Sequence, residues 1–168
     1  MTEYLLSIDP GLSTGISLLS YGDTSVSLED AWQFSGGVRG FLDWFHLDGT
    51  DLFLDADEII AEKFNARNTQ GFSYKTDALE PLRVEGAIIA LGLMPADESP
   101  EWRSPVLQYV VGGKDKADKK KRLHAFLKDS GFYVAPKELG TPDADDVRSS
   151  IGHGLAYLAR EKKHKPTF

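Results

Sequence analysis

Residues 3–20 read EYLLSIDPGLSTGISLLS. Two apolar runs, 3–9 and 14–20, flank a short spacer, and Pro10–Gly11 breaks the first of them. So short a spacer returns the chain on itself. The two runs are therefore expected to pair as an antiparallel hairpin, with Asp9 at the end of its first strand. A third strand is expected over 26–34, punctuated by Gly36 and Gly37. Val38, Phe41, Leu42, Phe45 and Leu47 recur at helical spacing and predict a helix over 38–47. EIIAE at 58–62 is a short apolar run with an acid at its end, which reads as a buried strand.

Beyond a polar stretch at 63–77, an apolar helix is expected over 79–93, with Pro81 in its first turn or at a kink. A strand over 106–111 is stopped by Gly112–Gly113. A basic helix over 117–128 turns Leu123, Phe126 and Leu127 inward. A last helix over 143–160 turns in Val147, Ile151, Leu155 and Leu158. Three hairpin-linked strands followed by alternating helices and strands imply an α/β domain, a mixed five-stranded sheet flanked by helices.

The 168 residues suffice for one domain over 1–168 with its own core, ending in a basic tail over 160–168 whose ordering the sequence leaves open. No apolar run approaches the roughly 18 residues of a membrane span, so no membrane partner is expected. The acidic start does not resemble a secretory signal. The absence of cysteine excludes disulfide scaffolds, thiolate metal sites and cysteine nucleophiles, and suits a cytoplasmic protein.

The net charge of −7 argues against a general nucleic-acid coat, yet it is unevenly spread. Residues 1–61 carry eleven acids and one Arg, whereas 114–128 carry seven Lys or Arg and two Asp. The basic stretch is either a solvated helix face or a phosphate-binding patch.

Acids stand at element ends. Asp9 closes the first strand, Glu62 the fourth, and Asp143, Asp145 and Asp146 cluster where the last helix begins. Singly, each has a bland reading as a turn residue, a strand exit or a helix cap. Within a helix, Asp143 and Asp146 share a face and Asp145 points elsewhere. If the sheet pairs as expected, Asp9, Glu62, Asp143 and Asp146 converge. Packed carboxylates repel unless a cation neutralises them, and an all-oxygen set suits Mg²⁺, with Mn²⁺ as a substitute. Two such ions would suit phosphodiester hydrolysis.

SIDPGLSTG, AEKFNARN, VVGGKDKADKK and DADDVRSSIGHGLAYL resemble, in order, four motifs of RuvC-like Holliday junction resolvases, and together they span residues 7–158. The resemblance implies an RNase H-like fold, a homodimer and Mg²⁺-dependent cleavage of four-way DNA junctions and other branched DNA. Resolvases of this kind are also encoded by bacteriophages. The resemblance carries Asp9, Glu62, Asp143 and Asp146 onto the metal-binding acids and Lys119 onto a basic catalytic residue near the scissile phosphate. Beside the acids, Lys114, Lys116, Lys120 and Lys121 are candidates to contact DNA phosphates, and Phe64, Arg67 and Asn68, just past Glu62, are candidates to contact DNA as well. Two departures stand out. A lysine common just before the strand equivalent to Tyr109–Val111 is replaced by Val106–Gln108, with Arg103 or Lys114 as substitutes. The dimer helix, expected at about 79–93, contains Pro81.

Phe64, Phe72 and Tyr74 are candidates to stack on an unpaired base or to fill the core. His124 and His153 read as partly buried helix residues, and Gly11 and Gly15 as hairpin-turn residues. Alternatives are a flap- or fork-specific nuclease, an RNase H-type nuclease, a non-catalytic branched-DNA-binding protein, or an actin-like ATPase, which would need a second domain.

Overall fold

Strands β1 (Glu3–Asp9) and β2 (Ser13–Tyr21) pair antiparallel with Asp9 opposite Gly15, Ser7 opposite Ser17 and Leu5 opposite Leu19. The hairpin expected from the spacer is thus present in the computed structural model, which describes residues 1–63, 79–93, 111–112 and 114–161. Thr14 ties the turn: its Oγ1 accepts from the Gly11 N–H and donates to the Gly11 carbonyl. β3 (Val26–Ser35) adds antiparallel to β2, and β4 (Glu58–Ala61) adds parallel to β1, giving the order β3-β2-β1-β4.

The sheet is mixed, as expected, but has four strands among the described residues rather than five. The strand expected over 106–111 lies outside them except for Val111, which is helical. The helix expected over 38–47 runs further. It comprises α1 (Gly37–Trp44), a π-helical turn (Phe45–Gly49) and α2 (Thr50–Asp55). The apolar spacing continues through Phe53, which is buried against Phe41, Trp44 and Phe45.

α3 (Glu80–Ala90) carries Pro81 in its first turn, where no intrahelical N–H is lost, so the proline introduces no kink. α4 (Lys116–Asp129) is the basic helix. Its Asp115 cap accepts from the Asp118 N–H. A single turn, α5 (Pro136–Leu139), precedes α6 (Asp145–Arg160). The last helix therefore starts two residues later than expected, leaving Asp143 outside it.

Strand parity divides the core. Leu6, Ile8 and Ile16 face one way and pack with Phe41, Trp44, Phe53, Val84 and Ile88 of α1, α2 and α3. Leu5, Leu19 and Ile60 face the other way, against Leu123 and Leu127 of α4 and Val147, Ile151, Leu155 and Leu158 of α6. The inward faces expected for α4 and α6 are these. α6 lies close to the sheet because the residues beneath it are small. Ser7 Oγ donates to the Ser150 carbonyl at 2.7 Å, and a Cβ on Gly154 would stand 2.5 Å from Leu19 Cδ1.

Candidate active site

The parity that turns Leu5 and Ser7 toward α6 turns Asp9 the same way. In β4, Glu58 and Ile60 lie level with Leu5 and Ser7, and the Glu62 N–H donates to the Ile8 carbonyl at 2.9 Å. Glu62 therefore emerges beside Asp9 on the α6 side of the sheet. The first turn of α6 is brought to the same place by Gly15. Its absent side chain is required there, since a Cβ would lie 2.1 Å from the Asp146 carbonyl carbon. Gly15 sits inside β2 rather than in the hairpin turn, contrary to the expectation from sequence.

Asp9, Glu62, Asp143 and Asp146 line one cleft of about 700 Å³ together with Lys119, Lys120, His124, Asp145, Ser149 and His153. All four acids singled out from the sequence are thus gathered there. Burial, then the neighbouring Glu62 and Asp146 carboxylates, push the Asp9 carboxyl well above its usual range, while a hydrogen bond with Ser149 works against the rise. The closeness of Glu62 is the largest of these charge effects on Asp9. Asp146 is raised chiefly by burial, with Asp143 and Asp145 adding to it and Ser13 opposing it.

Such a set is fitted for a divalent cation. Its carboxylates are close enough to need neutralising charge, and one ligand atom each from Asp9, Glu62 and His153 fall within 4.8 Å of one another. His153 is buried on α6, with Nε2 3.4 Å from Glu62 Oε2.

Asp143 reaches the cleft from the loop before α6, held by Gln33 of β3. Gln33 Nε2 donates to both Oδ1 and the main-chain carbonyl of Asp143, each at 3.1 Å. Gln33 Oε1 accepts from the Val147 N–H at 3.2 Å, capping the helix from another strand. Nothing in the local sequence marks Gln33 for this task.

Asp145 turns away from the other acids, as expected, toward α4. It pairs with Lys120, with His124 Nε2 at 3.2 Å and with Arg148 Nη1 at 3.3 Å. Partial burial works to raise its carboxyl, but these cations, Lys120 foremost, hold it below the usual range. Burial and the adjacent Arg148 keep His124 below its usual value. Arg148 is itself buried. It donates to the Val134 carbonyl through Nε and Nη2 and to the Tyr133 hydroxyl, and its guanidinium lies 4.3 Å from the centre of the Tyr133 ring.

Of the basic residues proposed from sequence, Lys119 and Lys120 line the cleft, whereas Lys114 and Lys121 are exposed and do not. Phe64, Arg67 and Asn68, the Lys116 side chain, Phe72, Tyr74, Arg103 and the tail beyond 161 lie outside the described residues. No helix among the described residues is long and apolar enough to cross a membrane.

Two solved structures match the chain over nearly its full length. The structure of RuvC from Thermus thermophilus is 14% identical with a TM-score of 0.55, covering 99% of this chain and 99% of that one. T. thermophilus RuvC in complex with a Holliday junction substrate is 12% identical with a TM-score of 0.52, covering 98% and 99%. At such identities the likeness is one of fold: the chain has a RuvC-like, RNase H-like α/β fold. No family model and no curated protein matches it.

Proposed function

We propose that this chain is a single-domain, metal-dependent endonuclease that hydrolyses phosphodiester bonds in branched DNA, four-way junctions above all. The observation that carries this reading is the Asp9–Glu62 pair, drawn together at adjacent strand ends in a cleft that also holds Asp143, Asp146 and Lys119. The RuvC-like fold supports it, since one of the matching structures is a RuvC bound to a Holliday junction substrate.

In this reading Asp9, Glu62, Asp143 and Asp146 hold Mg²⁺, or Mn²⁺ in its place. Bound there, the cation supplies Lewis acidity toward a phosphate oxygen and lowers the pKa of a water. The chain's own residues do the rest. Ser149 steadies the Asp9 carboxylate through its hydrogen bond, and Gln33 steadies Asp143. Lys119 offsets the negative charge that builds on the phosphate under attack. Lys120, half-exposed and paired with Asp145, helps to bring the DNA backbone to the cleft, with Lys114, Lys116 and Lys121 further along the basic segment. Phe64, Arg67 and Asn68, which follow Glu62 in the chain, contact the branch point.

The symmetry of a four-way junction calls for two active sites. We assign the homodimer contact to α3, which buries Val84 and Ile88 against its own core while exposing Leu82 and Leu91 at its two ends.

Cleavage of end-labelled substrates with Mg²⁺ or Mn²⁺ tests this reading. A four-way junction, a flap, a fork, linear duplex and an RNA–DNA hybrid are compared side by side. Paired symmetric nicks in the junction are expected, with Asp146→Asn slowing cleavage by about 10²-fold or more while DNA binding persists, as expected for a lost metal ligand. Preference for flaps or forks would keep the chemistry and overturn the substrate. Absence of metal-dependent cutting would overturn both.

A further inference from the structure

His153 stands seven residues after Asp146 on α6, two helical turns on, so it returns to the face that Asp146 and Ser149 present to the cleft. Its side chain is 4% exposed. Among the described residues its one polar contact is with Glu62, and Nδ1 is buried without a hydrogen-bond partner. A histidine kept in a core for structure normally satisfies both ring nitrogens, because a buried polar atom left unmade is costly. This one instead directs its polar contact at the acid pair.

Its flanking residues sharpen the contrast. Gly152 and Gly154 have no side chains, and Gly154 brings the helix onto Ser7 and Leu19. The segment is built for close approach to the sheet, yet it carries an imidazole at that depth. Nε2 stands 3.4 Å from Glu62 Oε2, and a ring nitrogen of His153 lies within 4.8 Å of ligand atoms of both Asp9 and Glu62.

Resting on the reading that Asp9 and Glu62 hold a divalent cation, we infer that His153 is a further ligand to that ion through Nε2, making the site a mixed nitrogen–oxygen one. A neutral imidazole adds a donor without adding negative charge, so it relieves the crowding of the acids rather than increasing it. It also shifts selectivity. Mg²⁺ prefers oxygen and keeps its waters, whereas first-row transition ions accept imidazole readily. The site therefore binds Mn²⁺ more tightly than Mg²⁺, and His153 is a source of that difference.

The test uses Mn²⁺ bound to the full chain and pulsed electron paramagnetic resonance, which detects nitrogen coordinated to the ion. Modulation from a ¹⁴N nucleus is expected in the wild type. It should change to the ¹⁵N pattern when the chain's four histidines are ¹⁵N-labelled. That arm needs no variant, so it holds even if a substitution at 153 impairs folding. His153→Gln should abolish the nitrogen signal and weaken Mn²⁺ binding about tenfold or more, an effect of the size seen when the surroundings of a metal site are disrupted. Competition by Mg²⁺ should change much less. His124→Gln should leave the signal intact. Bound Mn²⁺ with no histidine nitrogen coupling, or a signal lost in His124→Gln instead, would overturn the inference and leave the carboxylate site standing. No Mn²⁺ binding by the wild type, and no difference from Asp9→Asn, would overturn the metal site itself.

Discussion

Gly15 and Asp146 meet main chain to main chain: a Cβ on Gly15 would lie 2.1 Å from the Asp146 carbonyl carbon and 2.3 Å from the Val147 nitrogen. Gly15 is also the cross-strand partner of Asp9. One absent side chain thus sets how closely the acid that begins α6 approaches the acid that ends β1. Both groups it would strike are backbone, so no rotamer change can relieve the contact.

Gly15→Ala should therefore lift the start of α6 off the sheet. Overpacking of this kind costs about 1–3 kcal/mol, and thermal melts should show it. Cleavage should fall by more than the folded fraction accounts for, because Asp9 and Asp146 are moved apart. Gly86→Ala is the comparison. It lies within α3 with nothing within 4 Å of its Cβ position, and it should stabilise by about 0.5–1 kcal/mol through helix propensity. Full activity in a stable Gly15→Ala variant would refute the role given to this contact.

Glu80 links two helices on the opposite face of the sheet, accepting the Val38 N–H at 2.9 Å from the start of α1. That N–H, aided by Arg83 and opposed by partial burial, holds its carboxyl below the usual glutamate range. A carboxyl with a lowered folded pKa contributes stability that is fully present above the unfolded value of about 4.3 and lost as pH falls through the folded one. Glu80→Gln should cost about 0.5–2 kcal/mol at pH 7, the range for a lost helix cap. The gap in melting temperature should narrow below about pH 4. A gap of constant size from pH 7 to pH 3 would show that the charge plays no part.

Arg148 is buried among acceptors that no other described cation serves: the Val134 carbonyl and the Tyr133 hydroxyl. Arg148→Met should destabilise by about 3 kcal/mol, the low end for breaking a buried pair, since Asp145 keeps Lys120 and His124. Removing the guanidinium should also raise the His124 pKa, because Arg148 is second only to burial in holding it down. Histidine resonances followed by NMR against pH would report this. An unmoved His124 titration would mean that the two groups are not electrostatically linked.

If Lys119 contacts a phosphate, Lys119→Ala should lower the slope of log binding constant against log salt by about 0.9 on duplex DNA. An unchanged slope with impaired cleavage would assign Lys119 to the chemical step alone.

What the sequence determined by itself was local or periodic. The Asp9–Pro10–Gly11 break between two apolar runs specifies a hairpin. Alternation along β1 specifies that Asp9 shares a face with Leu5 and Ser7. The spacing of Val147, Ile151, Leu155 and Leu158 specifies the buried side of α6. Four acids at element ends were legible as a group, because element ends are set by breakers and runs within a few residues. The tertiary structure decided what depends on contacts between distant segments. Asp143 lies before α6, not within it, and is held by Gln33, 110 residues earlier. Gly15 is a glycine because a helix some 130 residues later rests on it, so by sequence it reads as a turn residue. Nothing in the sequence singles out Arg148, whose burial comes from its contacts with the Tyr133–Val134 segment. His153 reads as a partly buried helix residue until β4 sets Glu62 against it. Periodicity states which face of an element is buried. It carries no information on which residues of another element lie opposite, because that pairing is set by the closest packing the whole sheet and its helices can reach.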